Sequence, residues 1–137
     1  MSQRRVVVTG LGIISPVGNT VEAAWNSVLE GKSGIGAITR FDCSDFSTRI
    51  AGEIRNFDAS EFIPAKDARK MDAFMHYGIA ACKQAIADSG IEVTDRNSSR
   101  IGVAFGSGIG GIETIEVNCT KYLESGRLPR RISPFFI

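Results

Sequence analysis

Apolar runs and glycine-rich turns alternate along the chain in an order typical of mixed α/β proteins. Residues 5–9 (RVVVT) form a β-branched run before a glycine, and residues 100–105 (RIGVAF) form a second run of this kind. Runs that stay apolar, instead of alternating with polar positions, are typical of strands buried on both faces of a parallel sheet. We therefore predict two central strands here and a shorter strand over residues 49–54.

The first helix is predicted from its capping residues. Asn19 or Thr20 can cap its N-terminus, and Leu29 is its last residue. Side chains of Ser, Thr and Asn accept backbone N–H bonds at helix starts, whereas glycine tolerates the left-handed turn that closes a helix. Gly31 is expected to take that closing turn, and residues 31–46 are expected to form a loop.

The longest predicted helix spans residues 66–89 and ends at Gly90. Its apolar positions recur every three or four residues, which is the period of one helix face. Small residues on that face predict close packing against another backbone, and they are Gly78, Ala81 and Ala85. A further helix is predicted over residues 113–124, so that each central strand is followed by a helix, the repeating unit of α/β folds.

A cluster of cations stands at the beginning of the long predicted helix. Lys66, Arg69 and Lys70 share one face there, since they are spaced by three and four residues. Cations near a helix N-terminus oppose the helix dipole, at a cost of a few tenths to about 1 kcal/mol each. The cluster therefore indicates an anionic partner, although a solvated face with weak salt bridges explains it equally well.

A second basic group lies in a proline-containing connector and consists of Arg127, Arg130 and Arg131. Binding of single-stranded nucleic acid needs aromatic side chains on which bases stack, and this connector has none between its arginines. The pattern therefore argues against nucleic acid as the partner.

The segment 106–111 (GSGIGG) matches the glycine pattern of dinucleotide-binding loops and lies between a predicted strand and a predicted helix. Two features disagree with that function: the strand comes late in the chain, and no acidic residue ends a following strand at a distance of about 20 residues. The alternative is a tight turn beside an apolar pocket whose walls include Ile109 and Ile112. Ordinary core packing of both isoleucines is equally compatible with the pattern.

Composition and charge are those of an ordinary globular protein. The 137 residues are 43% hydrophobic and 23% charged, with a formal net charge of +1. That charge gives no overall field for nucleic acid or membranes, and the apolar run near the N-terminus is too short for a signal peptide or a membrane span. We therefore expect a cytoplasmic protein.

Cysteine and histidine usage gives no candidate for a metal site or a nucleophile. Cys43, Cys82 and Cys119 are far apart without a C-x-x-C pair, and His76 is the only histidine. Paired spacings would be needed for a disulfide framework or a zinc site. We interpret the cysteines as small packing residues and His76 as a structural or surface histidine.

Four segments together resemble one enzyme family. They are RRVVVTGLGIISPVGN, ARKMDAFMHYGIAACKQAIADSG, IGVAFGSGIGG and RRISPFFI, and they follow the family's order along the whole chain. This combination is similar to the elongating β-ketoacyl-acyl-carrier-protein synthases of the type II kind. In that family GSGIGG belongs to a condensing enzyme, so the resemblance disfavours the dinucleotide interpretation.

The resemblance implies a thiolase-like α/β fold, layered α/β/α, in which two βαβαβαββ halves are related by pseudo-symmetry. Residues 1–137 would be the N-terminal part of that ketosynthase domain, with most of the first half present and the domain incomplete. The family joins a cysteine-bound acyl group to malonyl-carrier by decarboxylative Claisen condensation and needs no cofactor or metal. Its nucleophilic cysteine and two histidines follow later in the sequence, so no catalytic residue is expected here.

The resemblance also implies roles for residues of this chain. Ile109 matches a gating residue of the acyl pocket, Ile112 lines that pocket, and Phe136 is inserted across a dimer interface. The surface that receives the acidic acyl carrier protein matches Lys66, Arg69, Lys70, Arg130 and Arg131. The implied partners are acyl carrier protein, acyl and malonyl thioesters, and a second subunit in the full-length enzyme.

The last residues bear on whether the chain is complete. Three large apolar residues follow Pro134, and a free terminus would expose them to water. We therefore expect a fragment whose catalytic residues lie beyond it. Two other functions stay open, a non-catalytic module that binds the carrier protein and a nucleotide-binding half-domain.

Overall fold

The computed structural model describes residues 4–134 of the chain. Its helices and strands are, in chain order, α1 (Val21–Leu29), β1 (Ile35–Ala37), β2 (Ile50–Gly52), α2 (Ala65–Ala68), α3 (Ala73–Ser89) and α4 (Ile112–Glu124). Short 3₁₀ turns lie at Ala59–Glu61, Ser98–Arg100 and Pro129–Arg131. The residues group into unit 1, within Met1–Asp58 and Ala80–Val93, and unit 2, within Ala59–Ile79 and Thr94–Ile137.

Helix α1 begins and ends where local capping rules place it. The hydroxyl Oγ1 of Thr20 accepts a hydrogen bond from the backbone N–H of Ala23 at 3.2 Å, so Thr20 is the N-cap. Gly31 follows the helix with a φ of 66°, in the left-handed region that glycine tolerates. The N–H of Lys32 then donates to the carbonyl of Ser27 at 2.9 Å, which closes the helix as predicted.

Strands β1 and β2 form a two-stranded antiparallel sheet within unit 1, in a register that pairs Ile35 with Gly52. Strand β2 confirms the short strand predicted over residues 49–54. Strand β1 shows that the prediction of a loop over residues 31–46 is wrong in part. Its three residues, IGA, carry no alternating pattern, so only their pairing with β2 makes them a strand.

The carboxylate of Glu53 fastens the end of this hairpin. It accepts hydrogen bonds from the N–H of Thr39 at 2.9 Å, from the hydroxyl of Thr39 at 2.7 Å and from the N–H of Arg40 at 3.3 Å. Hydrogen bonds favour the charged form of a carboxyl group, so the N–H and then the hydroxyl of Thr39 lower the pKa of Glu53. These donors hold the chain after β1 against the chain after β2.

The two buried strands predicted over residues 5–9 and 100–105 are not observed. Neither segment joins a strand ladder in the described part of the chain. Their apolar side chains are largely exposed, with Val6 90% and Val103 75% accessible. A β-branched run becomes a strand only where neighbouring strands share its hydrogen bonds, and residues 4–134 pair no strand with either run.

The chain just after the first of these runs packs on α3 at very short range within unit 1. A Cβ atom added to Gly12 would overlap the carbonyl oxygen of Ala81, and one added to Gly10 would overlap that of Ala85. Only glycine lets two backbones approach so closely. This contact confirms the prediction that small residues of the long helix permit close packing.

Side chains of α3 also satisfy the backbone of this N-terminal segment. The amide oxygen of Gln84 accepts from the N–H of Ile13 at 3.1 Å, while its Nε2 donates to the carbonyl of Asn19 at 2.8 Å. The carboxylate of Asp88 accepts from the N–H of Leu11 at 2.8 Å. Helix α3 thus supplies hydrogen bonds that a sheet would supply to a strand.

The long helix predicted over residues 66–89 is in fact two helices. The short α2 ends at Ala68, and α3 begins at Ala73. Between them the N–H groups of Lys70 and Met71 bond to carbonyls three residues back, as in a 3₁₀ turn. The break separates the basic residues at the beginning of the predicted helix from α3.

Candidate functional site

A pocket of about 390 Å³ lies in unit 2, where the glycine loop (residues 106–111) meets the beginnings of α3 and α4. It is lined by Asp72, Phe74, Ile109, Gly110, Gly111, Thr114 and Ile115. Pockets that bind small molecules have volumes of about 300 to 1,000 Å³ and are mostly apolar with a few polar groups. Phe74, Ile109 and Ile115 supply the apolar walls, so this pocket suits a hydrocarbon chain.

The glycine loop reaches the pocket through a tight backbone turn. Gly110 has a φ of 74°, and its N–H donates to the hydroxyl of Ser107 at 3.1 Å. A Cβ atom at Gly110 would lie 3.8 Å from the ring of Phe74, so the backbone runs close to that ring. The turn places the neighbouring Ile109 at the pocket.

The carboxylate of Asp72 joins the glycine loop to the turn before α3. Its Oδ1 accepts a hydrogen bond from the hydroxyl of Thr114, and a Cβ atom added to Gly111 would overlap its Oδ2. The backbone carbonyl of Asp72 accepts from the N–H of Met75 at 3.0 Å, in the first turn of α3. Asp72 therefore contacts both helices that frame the pocket.

The position of Asp72 bears on the dinucleotide interpretation of the loop. A bound pyrophosphate would lie at the N-terminus of α4, where free backbone N–H groups attract anions. Asp72 already brings a carboxylate to Gly111, the residue before α4. Repulsion between like charges disfavours a phosphate at this position.

Of the three residues implied for an acyl pocket, the structure places Ile109 at the apolar pocket. Ile109 is 73% exposed and is one of the lining residues. Ile112 is the first residue of α4, is 59% exposed and does not line this pocket. Phe136 lies outside the described residues.

The basic residues Lys66, Arg69 and Lys70 are exposed, but the helix break changes their setting. Lys66 lies in the last turn of α2, and Arg69 is the C-cap of that helix. Cations are favoured at a helix C-terminus, so the expectation of an unfavourable helix dipole is wrong for Lys66 and Arg69. Lys70 forms an ion pair with Asp67 at 3.8 Å. Their exposure, and not dipole strain, is what suits an anionic partner.

A second pocket in unit 2, of about 380 Å³, borders this basic cluster. Its lining residues include the cations Arg69, Lys70 and Lys121 and the acids Asp72 and Glu113, whereas Lys66 does not line it. Lys121 was not identified from the sequence, because one lysine in α4 has no spacing that relates it to the α2–α3 turn. The fold thus gathers cations from two separate parts of the chain.

Arg130 and Arg131 are exposed in the 3₁₀ turn Pro129–Arg131. Asn118 of α4, which is 5% exposed, anchors the chain just after this turn. Its amide oxygen accepts from the N–H of Ser133 at 2.7 Å. The two arginines are therefore presented on a segment held by α4.

His76 and the three cysteines stand apart from both pockets, since none of them is a lining residue. The Nε2 atom of His76 lies 3.0 Å from the carbonyl oxygen of Ala68, which gives it the structural role expected of it. Cys43 and Cys82 are half-buried, and Cys119 is exposed. In residues 4–134 no three His, Cys, Asp or Glu side chains gather as metal ligands do. Over the same residues, no helix combines the length and the apolar character that a membrane crossing requires.

Comparison with known proteins relates the chain to one family. Residues 3–137 match the family model for the N-terminal domain of β-ketoacyl synthases. The chain is 57% identical over all of its 137 residues to 3-oxoacyl-(acyl-carrier-protein) synthase 2 of Vibrio harveyi, of which it covers 32%. It thus spans about a third of the length of the curated relatives it matches.

Two solved structures share its fold. The ishigamide ketosynthase/chain length factor has a TM-score of 0.77 and 29% identity, over 98% of this chain and 33% of that one. The type II polyketide ketosynthase AntDE, in complex with its acyl-carrier protein AntF and bound to the hexaketide, has a TM-score of 0.72 and 27% identity, over 97% of this chain and 34% of that one. The prediction of an incomplete thiolase-like α/β fold is confirmed.

Proposed function

Because the chain belongs to the β-ketoacyl synthase family, we propose that residues 1–137 form the N-terminal part of the thiolase-like ketosynthase domain of a 3-oxoacyl-(acyl-carrier-protein) synthase 2. The complete enzyme elongates acyl chains in type II fatty-acid biosynthesis. The observation that carries this proposal is 57% identity over the whole chain, and the apolar pocket at the glycine loop supports it.

The proposed reaction divides between this segment and the rest of the enzyme. A cysteine thiolate attacks the acyl thioester and expels the carrier thiolate, which takes a proton from water. Loss of CO₂ from malonyl-carrier then gives a carbanion that attacks the acyl-cysteine and frees the cysteine thiolate again. We place that cysteine, and two histidines that stabilise the developing oxyanion, outside residues 1–137. In support, neither His76 nor any of the three cysteines of the chain lines the apolar pocket.

The contribution of this segment is a wall of the acyl site. Ile109 acts as its gate, Ile112 lines it in the complete enzyme, and Phe136 enters across the interface of a homodimer. The position of Ile109 at the pocket supports the first role, while the other two rest on the family resemblance. Apolar walls favour the acyl chain because they remove its methylenes from water.

Acyl carrier protein is proposed to dock on exposed cations of unit 2. They are Lys66, Arg69, Lys70, Arg130 and Arg131. An acidic carrier is attracted by such a surface, which raises the rate of association. The AntDE structure supports the partnership, since it contains a ketosynthase together with its acyl-carrier protein. The homodimer and the cytoplasmic location stay predictions.

Reversing one of these charges should weaken the use of carrier-bound substrate. Arg69→Glu removes a cation and adds an anion, so we expect KM for acyl-carrier substrate to rise about fivefold at low salt, with kcat little changed. The matched control is Arg100→Glu, another exposed arginine that lines neither pocket. If both variants show the same KM at low salt, the docking proposal is wrong.

A graft tests the proposed function directly. Residues 1–137 replace the matching segment of the Vibrio harveyi synthase, and formation of 3-oxoacyl-carrier from acyl-carrier and malonyl-carrier is measured. We expect activity within about tenfold of the parent, because 57% of the grafted positions are identical and cores tolerate volume-conserving changes.

Five of residues 106–111 are already glycine or serine, so the control graft deletes these six residues and should be much less active. A folded graft of the unaltered segment that forms no product would contradict the proposal. If that graft still bound acyl carrier protein, the non-catalytic carrier-binding module would be the better description.

A further inference from the structure

Two side chains that fasten the glycine loop have no role in the function proposed so far. The hydroxyl of Thr114 donates to Oδ1 of Asp72, which stands 42 positions earlier in the chain. Both residues are half-buried, and both line the apolar pocket. Their hydrogen bond therefore links the turn before α3 to the first turn of α4, directly at the pocket.

The glycine loop has little rigidity of its own. Four of its six residues are glycines, which have no side chains to restrict the backbone. A Cβ atom added to Gly106 or Gly108 would meet nothing within 4 Å, so neither packs closely on other atoms. The loop approaches other side chains closely at its far end, where Gly110 runs near Phe74 and Gly111 runs near Asp72.

The carboxylate of Asp72 has physical reasons to stay at this end of the loop. Helix α4 begins after Gly111, which has no side chain with which to cap it. The helix dipole favours a negative charge there, and the hydroxyl of Thr114 supplies a donor to a carboxylate that is partly removed from water. Without that hydroxyl the carboxylate loses the donor that keeps it beside Gly111.

We propose that Asp72 and Thr114 are positioning residues that set the length of acyl chain the pocket accepts. The inference rests on the proposed function, since it takes the ligand of the pocket to be an acyl chain. While the bond is intact, Gly110 stays near the ring of Phe74 and Ile109 stays at the pocket. When the bond is broken the loop moves away from the ring, the pocket deepens, and longer chains enter.

The test compares Thr114→Val with Thr114→Ser in the complete synthase that carries this segment. Valine keeps the branched shape without the hydroxyl, whereas serine keeps the hydroxyl. We expect Thr114→Val to raise the ratio of kcat/KM for long over short acyl chains about fivefold, and to speed amide hydrogen exchange at Gly110 by a similar factor. Thr114→Ser should keep the ratio of the parent. A ratio of two kcat/KM values does not depend on how much of the enzyme is folded, so a loss of folded protein cannot mimic the effect.

A second variant breaks the same contact from the loop. In Gly111→Ala the added Cβ overlaps the carboxylate of Asp72 and displaces it, so the ratio should shift in the same direction as in Thr114→Val. The double variant should shift it no further than either single one, because both changes disrupt one interaction. If the shift in the ratio for the double variant equalled the sum of the two single shifts, the two changes would not act through one interaction.

Ile109→Phe provides the reference in the same assay. An unchanged chain-length profile in Thr114→Val, beside a shifted profile in Ile109→Phe, would overturn the positioning role and leave the proposed function standing. Faster amide exchange at Gly110 in Thr114→Val without a change in the chain-length profile would also overturn the positioning role. Unchanged profiles in both variants would overturn the acyl pocket itself, and the inference with it.

Discussion

Replacing Gly12 with alanine should lower the free energy of unfolding of the chain by about 3 kcal/mol. The added Cβ would overlap the carbonyl oxygen of Ala81 and lie 2.8 Å from the backbone nitrogen of Ala85. Both atoms belong to the backbone of α3, so no side-chain rotation can relieve the overlap. The N-terminal segment would have to separate from the helix, and Tm should fall by about 10 °C for a chain of this size.

The matched control for Gly12→Ala is Gly102→Ala, where an added Cβ meets nothing within 4 Å. The stability of that variant should stay within about 0.5 kcal/mol of the parent. Ala81→Gly should not rescue Gly12→Ala, because the overlapped atom is a backbone oxygen. Urea unfolding followed by circular dichroism measures all of these variants. Equal midpoints for the two glycine variants would show that the N-terminal segment does not pack on α3 as described.

Features that depend on neighbouring residues were predicted well. Thr20 caps α1, Gly31 closes it, and Gly90 ends α3 with a φ of 62°, because capping involves residues within about one helical turn. The small-residue face of α3 was predicted for a similar reason, since helical spacing alone places those residues on one side.

Features that depend on distant residues were predicted poorly. Residues 5–9 and 100–105 have the composition of buried strands, but composition does not say whether a neighbouring strand is present to pair with them. Strand β1 shows the reverse, since pairing makes a strand from residues with no strand pattern. The break before α3 could not be predicted, because the helical spacing of apolar residues continues through Met71. The side chain of Asp72 bonds to Thr114, which is far along the chain.

The difference between nearby and distant residues also explains which parts of the candidate site could be predicted. Ile109 could be singled out because its glycine loop is a continuous motif that also carries the family resemblance. The contact between Asp72 and Thr114 could not, because it joins residues on either side of α3. Lys121 was missed for the same reason, although it lines one pocket with Arg69. Motifs therefore located the pocket, and only the fold shows what holds it in shape.

Enlarging Ile109 should shorten the acyl chains that the complete synthase accepts. Ile109 lies at the apolar pocket, and a phenylalanine ring there would fill space that an acyl chain needs. Excluding two methylenes from burial costs about 1.6 kcal/mol, which corresponds to about 15-fold in kcat/KM. We therefore expect Ile109→Phe to lower kcat/KM for long acyl-carrier substrates by about that factor relative to short ones.

The measurement for Ile109→Phe has to separate a smaller pocket from a damaged enzyme. Decarboxylation of malonyl-carrier does not place a long chain in the pocket, so its rate should change by less than about twofold. Ile50→Phe adds the same bulk to an isoleucine of β2 that is 60% exposed and lies outside the pocket, so its chain-length profile should match the parent. The added ring can discriminate between chain lengths only by occupying space that the chain enters. A profile for Ile109→Phe that equalled that of Ile50→Phe would therefore mean that the acyl chain does not pass Ile109.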